Sequence, residues 1–383
     1  MKKLSICAIL LLMVVSICCS IPTNNHNIAH AESFCSAKSM CLIERDSGRV
    51  LQSKNMNEQR KMASTTKIVT AITAIENCNN LNQEVHVDNK AVGVEGSSIY
   101  IKQGEKFKLI DLLYGLMLRS GNDSAIAIAC HISGTEQNFA KLMNETAKKA
   151  GANSSNFVNP HGLDHSEHYT TAYDLAKITA YALKNEIFKQ IVSSKTYSVN
   201  ETNCSPKRYW INKNRLLSSL TGCVGVKTGY TKKAGRCLVS AIERNNTAYI
   251  CVVLDCGPMF EESAKLLEYA DAQYKNEKII DKNKEIYNEF IIDKNNGKLY
   301  LYADEDFYYP LTESEKNDLV LKYNVRLDET KENDQVGEIN IFFNNHLIKT
   351  IKLFTMNKID KLIDSETLKI SEILWEEKIN ENK

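Results

Sequence analysis

Residues 62–71 read Met-Ala-Ser-Thr-Thr-Lys-Ile-Val-Thr-Ala, with Ser64 three residues before Lys67 and an apolar run behind them. Ile68, Ala71, Ile72 and Ile75 fall at helical spacing, which predicts a helix from Ser64 to about Asn77 with one buried face. Positions i and i+3 are neighbours on a helix, so the Lys67 amine falls within reach of the Ser64 hydroxyl. An ordinary helix start, a capping serine with a solvated lysine one turn on, has the same local pattern. Two facts weigh against it. This is the only Ser-x-x-Lys in the chain, and Lys67 stands against an apolar face, where its amine would be buried beside the serine.

Working outward, Ser39–Ile43 and Arg49–Lys54 form two short strand patterns around the turn Arg45-Asp-Ser-Gly48. Phe107–Leu118 has the texture of a buried helix. It stops at Arg119-Ser120-Gly121-Asn122-Asp123, which has the chemistry of a turn and of a new helix cap. Ser124–Ile132, Gln137–Ala150 and Thr171–Leu183 are further helical patterns. Val224–Thr228, Cys237–Glu243 and Ala248–Leu254 then alternate as strands. Two strands, a block of helices and a late antiparallel meander suggest one sheet whose first and last strands pair, with helices packed on it.

From about Asn276 short alternating runs dominate: Glu289–Ile292, Lys298–Tyr302, Leu319–Leu327, Glu338–Phe343 and Leu347–Leu353. They predict a small all-β domain. The last stretch, Lys358–Lys383, has helical spacing of Ile359, Leu362, Ile363, Ile370, Ile373 and Leu374, and its acidic residues outnumber its lysines. That charge balance argues against a basic amphipathic membrane anchor but leaves weak surface contact open.

Two further motifs stand at a distance from Ser64. Ser120-x-Asn122 falls in the turn between helices, and Lys227-Thr228-Gly229, the only Lys-Thr-Gly in the chain, ends a strand where glycine permits close approach of a ligand. Each has a plain reading, a capped turn and a strand running into a hairpin. In this order and on these elements the three motifs are the mark of penicillin-binding proteins and class A β-lactamases.

The chain resembles the low-molecular-mass penicillin-binding proteins, the serine-type D-Ala-D-Ala carboxypeptidases. The flank Lys54–Lys67, the stretches Asn159-Pro-His-Gly-Leu-Asp164 and Thr170-Thr-Ala-Tyr-Asp-Leu175, and Asn214-Arg-Leu-Leu217 are similar to that family as well. Asp334-Gln-Val-Gly-Glu-Ile339 is similar to its second domain. The resemblance implies an α/β fold of the α+β type, a penicillin-binding/β-lactamase-like transpeptidase domain with helices on an antiparallel sheet, followed by a small all-β domain. The expected boundaries are 1–31 for a leader, 32–275 for the catalytic domain, 276–357 for the β-rich domain and 358–383 for a C-terminal helix.

The resemblance also implies roles. Ser64 would attack the carbonyl between the two terminal D-alanines of a peptidoglycan stem peptide, and Lys67 would take its proton. Ser120 would relay that proton to the leaving amine, and Asn122 would hold Lys67 and the substrate amide. The oxyanion would lie between the backbone N–H groups of Ser64 and of Tyr230, the residue after Gly229. Lys227 and Thr228 would bind the terminal carboxylate, with Lys213 or Arg215 as an extra cation. β-Lactams would enter as substrate mimics. A lysine serves as a base near neutrality only when burial and a nearby cation lower its pKa, and Lys227 is a candidate for that cation.

Other readings make testable contrasts. A β-lactamase needs a carboxylate to activate the deacylating water, and no Glu-x-x-Leu-Asn lies between the second and third motifs. A non-catalytic penicillin-binding sensor or structural wall protein is a third reading, and the presence of all motif residues weighs against a dead site. His161, His165 and His168 lie around Asn159-Pro160 and Gly162, which break any helix that would pair them as metal ligands, so a structured loop is expected and no metal or cofactor.

Composition sets the frame. The 383 residues are 43% hydrophobic and 25% charged with a net charge of +1, which gives no electrostatic case for nucleic acid. Lys2 and Lys3, an apolar run from Leu4 to Cys19 and Ala29-His30-Ala31 predict an export signal cleaved after Ala31, with an uncleaved anchor or a lipid-modified Cys18 or Cys19 as the rival reading. The enzyme is therefore expected outside the cytoplasm, in the wall or at the outer face of the membrane. Cys7, Cys18 and Cys19 would leave with the signal, and nine cysteines of the 12 would remain. An odd number spread through a large chain is no disulfide framework, and without a Cys-x-x-Cys a cysteine zinc site is not expected. Cys251 with Cys256, or Cys35 with Cys41, remain open as pairs.

Overall fold

The computed structural model describes residues 35–292, 298–326, 333–355 and 372–378. The expected leader lies outside them. Strands β1 (Ser39–Glu44) and β2 (Val50–Lys54) form an antiparallel hairpin. A 3-10 turn (Ala63–Thr66) leads into helix α1 (Lys67–Glu76). The hairpin of β3 (Glu84–His86) and β4 (Lys106–Lys108) precedes α2 (Leu109–Tyr114), a π-helical turn (Gly115–Arg119) and α3 (Asn122–Ser133). Next come α4 (Glu136–Lys149), α5 (Ala172–Leu183) and α6 (Glu186–Ser193). The hairpin β5 (Thr196–Val199) and β6 (Arg208–Ile211) and the short α7 (Leu216–Ser219) follow. The meander β7 (Cys223–Thr231), β8 (Gly235–Arg244) and β9 (Thr247–Leu254) ends at α8 (Met259–Gln273).

The main sheet has the order β2-β1-β9-β8-β7, antiparallel throughout, so the first strand of the chain pairs with the last of the meander as expected. Period-two alternation explains the sequence of its central strands. In β9, Ile250, Val252 and Leu254 join the core shared with α1, α3, α5 and α6, while Tyr249, Cys251 and Val253 face α8. Every residue of β9 is buried, which is why Ala248–Leu254 is an unbroken apolar run. Strand β7 is the last of the sheet, with no strand on its far side among the described residues.

The second unit is all-β. Strands β10 (Lys275–Ile280), β11 (Ile286–Ile292), β12 (Lys298–Ala303), β13 (Phe307–Leu311), β14 (Leu319–Arg326), β15 (Gln335–Phe343), β16 (His346–Thr355) and β17 (Glu372–Lys378) make a six-stranded sheet, β11-β12-β16-β15-β14-β17, and the pair β10-β13. Leu321, Tyr323, Ile339, Ile341, Ile351 and Leu353 form its core. Arg49, just before β2, reaches into this unit. Its guanidinium donates to the Pro310 carbonyl, pairs with Glu315 and lies over the rings of Tyr274, Tyr309 and Phe343 at 5.4, 5.2 and 4.5 Å.

Two expectations need correction. The helix expected at Lys358–Lys383 does not exist over Glu372–Lys378. That stretch is β17, paired along β14 from Val320↔Lys378 to Arg326↔Glu372, and the rest lies outside the described residues. The spacing of Ile370, Ile373 and Leu374 fits a helix, but hydrogen bonding to the open edge of β14 outweighs a short apolar pattern. The buried helix expected at Phe107–Leu118 is also divided. Phe107 faces Val85 in the β3–β4 ladder, and the helix starts at Leu109 and widens to a π turn at Gly115.

Candidate active site

The start of α1 differs from an ordinary capped helix. Ala63 has a left-handed backbone (φ 49°), and Met62, at the cap, has no capping side chain. The hydroxyls of Thr65 and Thr66 donate back to the carbonyls of Met62 (2.6 Å) and Ala63 (2.8 Å). Ser64 therefore lies inside a 3-10 turn, with its side chain free of capping duty, and the α-helix itself begins at Lys67.

Lys67 is fully buried. Its Nζ lies 3.1 Å from Ser64 Oγ, 2.6 Å from Asn122 Oδ1 and 2.6 Å from the His161 carbonyl oxygen. Two of these partners only accept. A neutral amine has two N–H groups and one lone pair, so two donated bonds leave the lone pair for the hydroxyl. Burial, then the charges of Lys227 and Lys213, hold the Lys67 amine well below the ordinary lysine value, and Asp123 opposes them in part. Such an arrangement can move a proton from Oγ to Nζ.

The second motif arrives through a tight turn. The π-helical turn ends at Ser120, whose backbone is left-handed (φ 65°), and α3 begins at Asn122. The Asn122 side-chain amide donates to the Glu95 carbonyl (2.6 Å), which fixes Oδ1 toward Lys67. Asp123 accepts from Ile99 N–H (3.0 Å) and Ser98 Oγ (2.5 Å), tying the 97–101 loop to α3. The structure brings Asn122 to Lys67. Ser120 is buried two residues away, and among the described residues its hydroxyl bonds to neither Ser64 nor Lys67.

The third motif lies on β7. A Cβ on Gly229 would come within 3.0 Å of both Met62 O and Ser64 N, so glycine lets the strand lie against the turn that carries the serine. Lys227 is buried and its Nζ donates to the Thr228 carbonyl (2.8 Å); burial first, then Lys213, push it down to about 7. Tyr230 is 65% exposed. Lys213 Nζ reaches Ser97 Oγ (3.1 Å), and its amine is lowered by burial and by Arg119. Of the two extra cations, Lys213 is the one that acts electrostatically on Lys67 and Lys227; Arg215 lies over the Phe260 ring on α8.

The loop 156–170 closes the site from the other side. Asn159 Oδ1 accepts from Gly162 N–H (2.7 Å), shaping the bend that presents the His161 carbonyl to Lys67. His168 Nδ1 accepts from Val158 N–H (3.1 Å), so Nε2 carries the proton toward Thr66 Oγ1 (2.8 Å). Burial holds His168 down to about 3, and the ring stays neutral as a brace between loop and helix. Lys61 Nζ donates to the carbonyls of Ser166 (2.7 Å) and His168 (3.1 Å). The expected structured loop is present. The His161 carbonyl was not among the expected site groups, because a backbone oxygen has no side-chain signature; the stretch Asn159-Pro-His-Gly162 was its only trace.

Gly162 has φ +89°, and a Cβ there would lie 2.0 Å from the Ala63 carbonyl oxygen. Gly162→Ala is expected to destabilise the fold by roughly 2–4 kcal/mol, from backbone strain plus overlap with main chain. Chemical denaturation measures it, and an unchanged midpoint would refute this account of the loop.

The family model described as D-alanyl-D-alanine carboxypeptidase matches residues 25–257, and that of the penicillin-binding protein 5 C-terminal domain matches residues 274–361. D-alanyl-D-alanine carboxypeptidase DacF of Bacillus subtilis is 36% identical over 258 residues, 65% of this chain and 66% of that protein. D-alanyl-D-alanine carboxypeptidase DacA of Haemophilus influenzae is 32% identical over 72% of each. The crystal structure of penicillin binding protein 5 from Haemophilus influenzae superposes with a TM-score of 0.71 at 26% identity, covering 85% of this chain and 98% of that one.

Proposed function

The chain belongs to the D-alanyl-D-alanine carboxypeptidases, a family of serine carboxypeptidases, and from that premise we propose that it removes the terminal D-alanine of peptidoglycan stem peptides through an acyl-enzyme on Ser64. The observation that carries this reading is the Lys67 amine, held by Asn122 Oδ1 and the His161 carbonyl at 2.6 Å each and placed 3.1 Å from Ser64 Oγ.

Ser64 Oγ attacks the carbonyl carbon of the penultimate D-alanine as its proton passes to Lys67 Nζ. The oxyanion is received by the backbone N–H groups of Ser64 and Tyr230, a reading that the close approach of Gly229 to Ser64 N supports. As the C–N bond breaks, the proton passes through the Ser120 hydroxyl to the leaving D-alanine amine. Water then attacks the ester, Lys67 accepts its proton, and Ser64 leaves as the hydroxyl. Lys227, Thr228 and Lys213 bind the terminal carboxylate; its arrival favours the ammonium form of Lys227. Asn122 orients the substrate amide as well as Lys67. In a β-lactam the leaving nitrogen stays attached to the acyl group and obstructs water, so the adduct persists.

The basic residues, apolar run and Ala29-His30-Ala31 at the N-terminus support export and action in the wall or at the outer face of the membrane, with peripheral contact there. N-terminal sequencing of the exported protein is expected to begin at Glu32. The purified enzyme is expected to release D-alanine from a diacetylated Lys-D-Ala-D-Ala peptide and to retain benzylpenicillin on the peptide that contains Ser64. Rapid benzylpenicillin turnover with no D-alanine release would replace this reading with a β-lactamase.

Lys213→Ala tests the carboxylate site. KM is expected to rise roughly tenfold with a smaller change in kcat, from loss of one charge-assisted contact. Removing this cation also relieves the repulsion on Lys67, so the acid limb of the pH profile is expected to move to higher pH. An unchanged KM would remove Lys213 from the site.

A further inference from the structure

On the face of the sheet opposite Ser64 lies a cluster that the carboxypeptidase chemistry does not use. Cys35, in the segment before β1, and Cys256, after β9, are both buried beneath the first turn of α8. Their thiols point at one atom: Glu262 Oε2 accepts from Cys35 Sγ at 2.9 Å and from Cys256 Sγ at 3.0 Å. The Ser36 backbone N–H donates to the same oxygen at 2.9 Å. One donor atom from each of Cys35, Cys256 and Glu262 lies within 4.8 Å of the others. We propose that Cys35, Cys256 and Glu262 form a binding site for a thiophilic divalent cation of the zinc(II) class, which staples the segment before β1 to α8.

The chemistry of the donors supports this choice. Two sulfurs and a carboxylate are a ligand set suited to zinc, at about 2.3 Å for sulfur and roughly 2.0–2.2 Å for oxygen. As they stand, the two thiol protons occupy the space between donors that the cation would take. Binding releases both protons, one from each thiol, and the thiolates become ligands. Two thiolates and a carboxylate around a divalent ion leave one negative charge, which the N-terminal end of α8 and the Ser36 N–H favour. Glu262 is only partly buried, so a water can enter from its side as the fourth ligand. The nine cysteines of the described residues are all free thiols, and both sulfurs here are aimed at the carboxylate. Neither pairing left open by the sequence, Cys251 with Cys256 or Cys35 with Cys41, is formed. The site was hidden from motif reading because its cysteines are 221 residues apart.

The test uses the full chain, reduced and stripped of metal, titrated with Co(II) as the probe. One equivalent is expected to bind with a near-ultraviolet sulfur-to-cobalt charge-transfer band, to be displaced by Zn(II), and to raise the melting temperature. Cys35→Ser and Glu262→Gln are each expected to weaken binding at least tenfold. Cys35 and Cys256 are both buried, so Glu262→Gln, at a partly exposed position, tests the site even where a cysteine variant fails to fold. Cys204→Ser is the control and keeps the band. No band, or the same band and affinity in Cys35→Ser, would overturn the proposal. So would a Cys35–Cys256 disulfide in protein isolated without reductant, which would make the pair a redox staple instead.

Discussion

Ser64→Ala is expected to lower kcat/KM for D-alanine release by about 10⁴-fold or more and to abolish the benzylpenicillin adduct. In the proposed path the substitution removes the atom that forms the acyl bond. It leaves the fold untouched, because Ser64 caps nothing: the turn is held by the hydroxyls of Thr65 and Thr66. Lys67 keeps two of its three partners, Asn122 and the His161 carbonyl. Equal melting temperatures for the two proteins, with D-alanine measured by D-amino acid oxidase coupling and the adduct by intact mass, separate chemistry from folding. A variant that retains the adduct would move the nucleophile elsewhere and end the proposed path.

Lys67→Met is expected to cost about 10³-fold or more in kcat, from loss of the base in both half-reactions. Methionine occupies similar volume but leaves Asn122 Oδ1 and the His161 carbonyl facing each other without a donor, so some loss of stability should accompany the loss of rate. The pH profile separates the two effects. Lys67 must be neutral to act, and its amine is depressed by burial and by the charges of Lys227 and Lys213. Wild-type kcat/KM should therefore rise with pH through the lowered Lys67 value. It should fall again as Lys227, pushed down to about 7, gives up the charge that holds the substrate carboxylate. A profile that rises only near the ordinary lysine range would show that Lys67 is charged at rest and is not the base.

Much of this architecture follows from local sequence patterns, and the exceptions have physical causes. β1 and β9 were legible because both faces of the sheet are covered, so neither strand contains a polar face to obscure it. The pairing of Lys67 with Ser64 was legible because both lie on one turn. The link from Lys67 to Asn122 spans 55 residues and rested on the motif order alone. Phe107 has the texture of a helix because its apolar neighbours continue the same run, whereas its ladder partner Val85 is distant in sequence. Strand β17 is hidden for the same reason: what it pairs with decides its form, and β14 lies beyond any local window. The choice between Lys213 and Arg215, two residues apart, depends on which side of the sheet each reaches. The stack of Arg215 on Phe260 and the charge that Lys213 exerts on Lys67 and Lys227 tell the two apart only in three dimensions.

The open side of β7 has a consequence for the molecule as a solute. A strand edge left unpaired for a peptide to approach is equally a template for the sheet of a second copy. Its first half is shielded by α6, where a Cβ on Gly225 would meet Val192 Cγ2 at 3.0 Å. Its second half runs straight into exposed Lys232 and Lys233. Two copies meeting edge to edge would bring these ammonium groups together, whereas a short peptide that ends in a carboxylate brings the opposite charge. The same few lysines thus disfavour self-association along the edge and leave it available to a small anionic chain end.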